Sequence, residues 1–261
     1  MDRYNGRRAL VTGGGSGIGQ ATVLRLLAEG GDVVAADVSE AGLKDTVAKA
    51  GAHAERLATV VVDVADEASV RAAVASALAT LGGLDVLVNA AGILRSSHTH
   101  ETSLADFTKV ITVNLTGTFL MIREAIPALL EGTAPAVVNF SSTSAMFAHP
   151  YMAAYAASKG GIQSMTHALA AEYAGQGIRF TAVQPGSISS GMTDGSGESK
   201  QSLGPGLPED ADFGLFAKLS PALGKGFAGP ESVAGVVAML ASEDGAFITG
   251  TEIRIDGGTH F

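Results

Sequence analysis

Short apolar runs alternate along the chain with longer stretches in which apolar residues recur every three or four positions. The runs are Arg8–Thr12, Asp32–Asp37, Ala58–Asp63, Asp85–Asn89, Ala136–Ser141, Arg179–Gln184 and Glu252–Ile255. Most are continuous in Val, Ile, Leu and Ala, the mark of parallel strands covered on both faces. Between them, Gly17–Glu29, Glu40–Ala50, Glu67–Leu81, Ser103–Leu130, Met152–Ala174 and Pro230–Ser242 have the length and pattern of helices. Alternation of this kind predicts right-handed βαβ crossovers. The expected fold is α/β, a doubly wound, seven-stranded parallel sheet with helices on both faces. No repeat, linker or charge block interrupts it, so residues 1–261 read as a single domain.

One stretch breaks the rhythm. Gly186–Leu207 is rich in Gly and Ser, contains Pro205 with Pro208 just beyond, and has no apolar period. It follows the sixth strand, at the sheet edge where α/β folds bind ligands. Residues 186–228 are therefore expected to form a substrate-binding loop, with a short helix over Asp210–Leu219 that presents Phe213 and Phe216 to one side.

Composition narrows the function. Hydrophobic residues are 46% and charged residues 16% of 261, which excludes disorder and implies a substantial core. The net charge of −9, with no basic cluster, argues against nucleic acid or an anionic membrane as partner. Cys is absent, so disulfides, thiolate metal sites and Cys nucleophiles drop out. MDRYNGRRAL lacks the apolar core of a signal peptide, and the apolar stretches look broken before the roughly 18 residues a membrane span needs. A cytoplasmic protein is expected. His98 and His100 form a His-Thr-His pair without a third ligand at suitable spacing, so no metal is expected.

Candidate chemistry begins where the first strand runs into Gly13-Gly14-Gly15-Ser16-Gly17-Ile18-Gly19 and then a helix. Glycines there allow a tight turn and close approach of the backbone to a pyrophosphate, whose charge rests at the helix N-terminus. Asp37 closes the second strand, where a carboxylate accepts ribose hydroxyls and repels a 2′-phosphate. Neither Ser16 nor Val38 supplies a cation for such a phosphate, so NAD is favoured over NADP. Asp63 and Val64, ending the third strand, are candidates for the adenine edge.

Tyr155 and Lys159 stand four apart in a helical pattern and share a face. A phenol near pKa 10 exchanges protons poorly at neutral pH, and a neighbouring ammonium favours its phenolate. Ser142 ends the fifth strand 13 residues earlier and is placed to hold a substrate oxygen. Asn114 is a polar residue inside a helix, where it can set a carbonyl or a water in a cavity. His149, Tyr151, Met146 and Met152 surround this stretch and are candidates for substrate contact.

Thr12-Gly13-x-x-x-Gly17-x-Gly19, Asn89-Ala90-Ala91-Gly92, Asn114, Ser142, Tyr155-x-x-x-Lys159, Pro185-Gly186 and Asp256-Gly257-Gly258, in this order, resemble the short-chain dehydrogenase/reductase family over essentially the whole chain. The resemblance implies a Rossmann sheet and transfer of hydride between a nicotinamide and a small-molecule alcohol or ketone. Tyr155 would be the general acid/base, and Lys159 would lower its pKa and bind the nicotinamide ribose. Ser142 would orient the carbonyl, and Asn114 would complete a water relay to Lys159. Asn89, Ala90 and Gly92 would lie beside the ribose, and Pro185, Gly186 and Ile188 would flank the nicotinamide. Ser190 stands where the family often has Thr. A homotetramer built through the long helices is implied as well. The Ile93–His100 segment and the loop show no strong charged anchor, which favours a neutral substrate. Two competing functions fit less well. A non-catalytic NAD-binding regulator would have no need of Ser142, Tyr155 and Lys159 together, and a Ser-Lys hydrolase would have no need of the glycine loop.

Overall fold

Val and Ala on alternate sides of parallel strands build this molecule. The computed structural model describes residues 2–194, 206–217, 219–224 and 226–260. Its strands are β1 (Arg8–Thr12), β2 (Asp32–Asp37), β3 (Leu57–Val61), β4 (Val86–Asn89), β5 (Ala136–Phe140), β6 (Arg179–Pro185) and β7 (Thr251–Ile255). They form one sheet in the order β3-β2-β1-β4-β5-β6-β7, and every neighbouring pair is parallel. The seven-stranded parallel architecture is the one the apolar pattern predicts.

Both faces are covered. Ala9, Val11, Val33, Ala35, Val86 and Val88 point to one side, onto α1 (Gly17–Ala28), α2 (Glu40–Ala50) and α8 (Glu231–Leu240). Leu10, Val34, Leu87 and Val137 point to the other, onto α3 (Glu67–Leu81), α5 (Gly117–Leu130) and α6 (Ala153–Tyr173). Each fully buried Val or Leu contributes about 1.5–3 kcal/mol, so the central strands hold the framework against which the loops are set.

The expected elements differ from the observed ones mainly at their ends. At the sheet edge β3 stops at Val61, and the chain leaves with the Asp63 N–H donated to Ser69 Oγ. The long Ser103–Leu130 helix is two helices, α4 (Leu104–Ile111) and α5, joined by a π-helical turn at Thr112–Thr116. Contrary to the expectation from sequence, the combined Leu104–Leu130 run is long and apolar enough, by length and composition alone, to cross a membrane. It carries Asp106, Lys109, Arg123 and Glu124, and Arg123 pairs with Glu67 of α3. Its apolar side, with Met121, Ile122, Ala125 and Leu129, lies on the sheet. The helix expected over Asp210–Leu219 shrinks to one 3₁₀ turn, Phe213–Phe216, capped by Asp212, since Gly214 is a weak helix former. Of the expected loop 186–228, a four-residue helix α7 (Gly191–Asp194) is described, while residues 195–205, 218 and 225 lie outside the described residues.

Candidate active site

Strand order reverses beside β1, whose neighbours are β2 and β4, and a cleft of about 1750 Å³ opens at the carboxyl ends of the strands there. Gly13 leaves β1 with φ +69°, and a Cβ on it would lie 2.8 Å from the Ala90 backbone at the end of β4. On Gly19 a Cβ would stand 2.1 Å from the Gly13 carbonyl oxygen. Only glycine lets α1 begin this close to β1. Ser16, the N-cap of α1, makes no side-chain cap bond, so the first N–H groups of the helix remain available to a ligand. With the helix dipole, they suit a pyrophosphate.

Asp37 is fixed at the rim of this cradle. Its Oδ2 accepts the Gly15 N–H at 3.0 Å and its Oδ1 the Ser39 N–H at 2.8 Å. Lys49, at the same rim, is ion-paired with Asp45 at 2.6 Å and also donates to Gln20. Asp63 accepts the Ala65 N–H, and Val64 packs on Gly117 at the cleft margin. Gly-loop N–H groups, a fixed carboxylate and a long cleft together fit a dinucleotide.

The second half of the cleft is built by β5, β6 and α6. Tyr155 and Lys159 lie one turn apart on α6, with Lys159 Nζ 5.5 Å from the Tyr155 ring centroid. Lys159 is 4% exposed and donates to the Phe140 carbonyl at 2.7 Å, and burial pushes its pKa down to about 8. Burial also pushes the Tyr155 phenol up, to about 12, partly opposed by its hydrogen bond with Ser142. The sequence suggested a phenol eased toward its phenolate. In the structure desolvation raises it, and the ammonium's hydrogen bond goes to the Phe140 carbonyl. Ser142 leaves β5 as the cap of a short turn, its Oγ accepting the Ser144 N–H at 3.1 Å.

Gly13, Ser16, Gly17, Ile18, Gly19, Asp37, Asp63, Val64, Ala90, Gly92, Ser142, Tyr155, Lys159, Pro185, Gly186 and Ile188 all line this one cleft. Asn89 and Asn114 do not; both are buried behind its wall. Asn89 Nδ2 donates to Asn139 Oδ1, and Asn139 donates to Thr166, tying β4 to β5 and α6. Asn114 Oδ1 accepts the Ile93 N–H at 2.8 Å, while its Nδ2 donates to the Ile93 carbonyl and to Ser158 Oγ, each at 3.0 Å. These bonds hold Gly92, where an added Cβ would lie 3.6 Å from Lys159 Nζ.

Several contributors were not singled out from sequence. Ser141 Oγ donates to the Lys159 carbonyl, and Ser158 Oγ donates to the Tyr155 carbonyl. Thr193 Oγ1 donates to the Ile188 carbonyl at 2.6 Å and accepts the Ser190 N–H. Ser and Thr are common enough that only their partners reveal these roles. At the far end, Tyr151 adopts φ +66°, its hydroxyl accepts the Asp212 N–H, and Phe216 stacks on its ring. His98 meets Asp210 at 2.8 Å beside it. His149, beside Thr143, has its pKa lowered by burial and lines the cleft with Met152, whereas Met146 is exposed.

A family model described as short chain dehydrogenase matches residues 7–201. Levodione reductase of Leifsonia aquatica is 38% identical over 260 residues, covering 98% of this chain and 95% of the relative. A short chain dehydrogenase from Mycobacterium paratuberculosis bound to NAD superposes with TM-score 0.89 at 31% identity, over 98% of each chain. A Burkholderia cenocepacia short chain dehydrogenase in complex with NADP gives 0.84 at 32%, covering 98% of this chain and 99% of that one.

Proposed function

This chain belongs to the short-chain dehydrogenase family of nicotinamide-dependent oxidoreductases, and from that premise we propose that it interconverts a secondary alcohol and a ketone with NAD(H), with Tyr155 as general acid/base. The observation that carries the reading is the convergence of Tyr155, Ser142 and Lys159 on one cleft with the Gly13–Gly19 cradle.

When bound, the nicotinamide donates or accepts the hydride. Ser142 and Tyr155, already hydrogen-bonded to each other, hold the substrate oxygen between their hydroxyls. In reduction Tyr155 gives its proton to that oxygen, and at neutral pH it carries one to give. In oxidation Tyr155 first gives up its own proton to solvent, the Lys159 ammonium stabilises the resulting phenolate once it turns from the Phe140 carbonyl, and the phenolate then takes the alcohol proton. Positioned proton transfer of this kind contributes about 10²–10⁴-fold. Lys159 would also hold the nicotinamide ribose, and Pro185, Gly186 and Ile188, which line the same cleft, would flank the ring. Asn114 fixes Ile93 and Gly92, and through them the wall beside Lys159. Asp37 supports NAD over NADP, because a carboxylate at the rim repels a 2′-phosphate and Lys49 is already paired with Asp45. We take the whole chain as one domain and the enzyme as a homotetramer.

Two titrations and one variant test this. Nicotinamide fluorescence should show NADH binding more tightly than NADPH, and Tyr155→Phe should bind NADH normally while losing at least 100-fold in turnover. Tighter NADPH binding overturns the Asp37 reading. Wild-type turnover in Tyr155→Phe removes the acid/base assignment, and binding of neither cofactor removes the enzyme reading.

A further inference from the structure

Among the described residues, Arg95 is the one arginine whose only hydrogen bond is to the carbonyl of its own neighbour, Leu94, at 2.7 Å. Arg3, Arg8, Arg25, Arg71, Arg123 and Arg254 each face a carboxylate. Arg7, Arg56 and Arg179 each have two or more other partners. Among the described residues Arg95 has no carboxylate partner, in a chain whose net charge is −9. Its fork of five N–H donors is left largely unmatched.

Its place in the fold is what matters. Gly92, three residues before it, stands beside Lys159 and Asn114, and Ser97, two residues after it, donates its N–H to the Tyr151 carbonyl. At most about 10 Å of extended chain separates Gly92 from Arg95. Arg95 therefore lies on the cleft wall between the proton-transfer groups and the Tyr151–Phe216 shelf. The described carboxylates lining the cleft, Asp37, Asp45 and Asp63, sit at the other end with the Gly loop. Leu94, whose carbonyl accepts from Arg95, lines the same cleft, as do Met152, Leu207 and Phe216. A guanidinium on a cleft wall with no carboxylate partner among the described residues offers its fork of donors to an anion.

We propose that Arg95 is the anion-binding residue of the substrate half, and that the substrate is a secondary alcohol or ketone carrying a carboxylate or phosphate group. The inference rests on the oxidoreductase reading above and makes its site specific. It replaces the neutral substrate that the sequence favoured, since Arg95 is indistinguishable from a solvated surface arginine until its lack of a carboxylate partner among the described residues is seen. Carboxylate and phosphate share the paired oxygens that a guanidinium binds bidentately.

The test compares kcat/KM for two matched pairs, 3-hydroxybutyrate with 3-hydroxybutanamide and 2-hydroxypropyl phosphate with 1-methoxy-2-propanol. Wild type, Arg95→Met and Arg95→Lys are compared, each first shown by NADH fluorescence to bind cofactor. Wild type is expected to favour the anionic member of at least one pair, and which pair it is separates the carboxylate from the phosphate. Arg95→Met should lower that anionic-to-neutral ratio about 10- to 100-fold, mainly through KM, and Arg95→Lys should restore part of it. A preference for the neutral members, or a ratio that Arg95→Met leaves unmoved, overturns the inference and leaves the oxidoreductase reading standing. Turnover of no member with either cofactor overturns both.

Discussion

Lys159 places an ammonium where 4% of the residue meets solvent and no carboxylate among the described residues balances it. Its pKa is about 8 in the folded chain against 10.5 for a free side chain. Between these values the unfolded chain holds a proton that the folded chain has released, so stability rises with pH across that window. Below pH 8 both states are protonated, and the full cost of the buried charge is present. Urea unfolding should therefore show wild type gaining on Lys159→Met by about 1.4 kcal/mol per pH unit between pH 8 and 10.5. A difference that stays flat from pH 7 to 10 would mean the amine is not desolvated. Tyr155 acts with the opposite sign and only above pH 10. Its phenol, raised to about 12, keeps a proton there that the unfolded chain loses, and stability falls. The four-residue spacing of this pair was plain in the sequence. The direction of both shifts was not, because desolvation depends on what the rest of the chain stacks over them.

At the scale of elements, the break between α4 and α5 is the clearest instance of tertiary control. Asn114 stood out in the sequence as a polar residue in an apolar helix, but a regular helix was expected there. The structure gives a π-helical turn, with Asn114 wholly buried and bonded to Ile93 and Ser158, which lie 21 and 44 residues away. Such turns mark functional positions in helices, and here the turn presents the amide to the chain that carries Gly92. Asn114→Ala leaves the Ile93 N–H and C=O without their partner. It should lower unfolding free energy by about 2–4 kcal/mol, read as a lower urea midpoint at unchanged slope. A loss under about 1 kcal/mol would show that the turn is held by other contacts. Most other boundaries were legible to within a residue or two, since caps such as Ser39 and Asp66 and the ends of apolar runs are local signals.

For the whole molecule, the outer side of the α4–α5 run leaves Leu104 79%, Phe119 44% and Phe107 37% exposed. The proposed homotetramer would use these exposed aromatic and aliphatic side chains as its contact surface. Light scattering on the eluting protein should give a tetramer for wild type and a smaller species for Phe119→Asp. An unchanged mass in the variant would place the contact elsewhere.

The sequence by itself determined the parallel sheet, because continuous apolar strands with helical spacers can be buried on both faces in few other ways. It also determined the glycine cradle and the Tyr155–Lys159 pair, whose chemistry depends on spacings within a few residues. Only the tertiary structure decided which polar residues face the cleft and which stand behind it, as Asn89 and Asn114 do. It likewise decided that Arg95 reaches the cleft with no carboxylate partner among the described residues. Those outcomes depend on partners tens of residues away, and the energy of a buried charge or amide depends on the partners it finds.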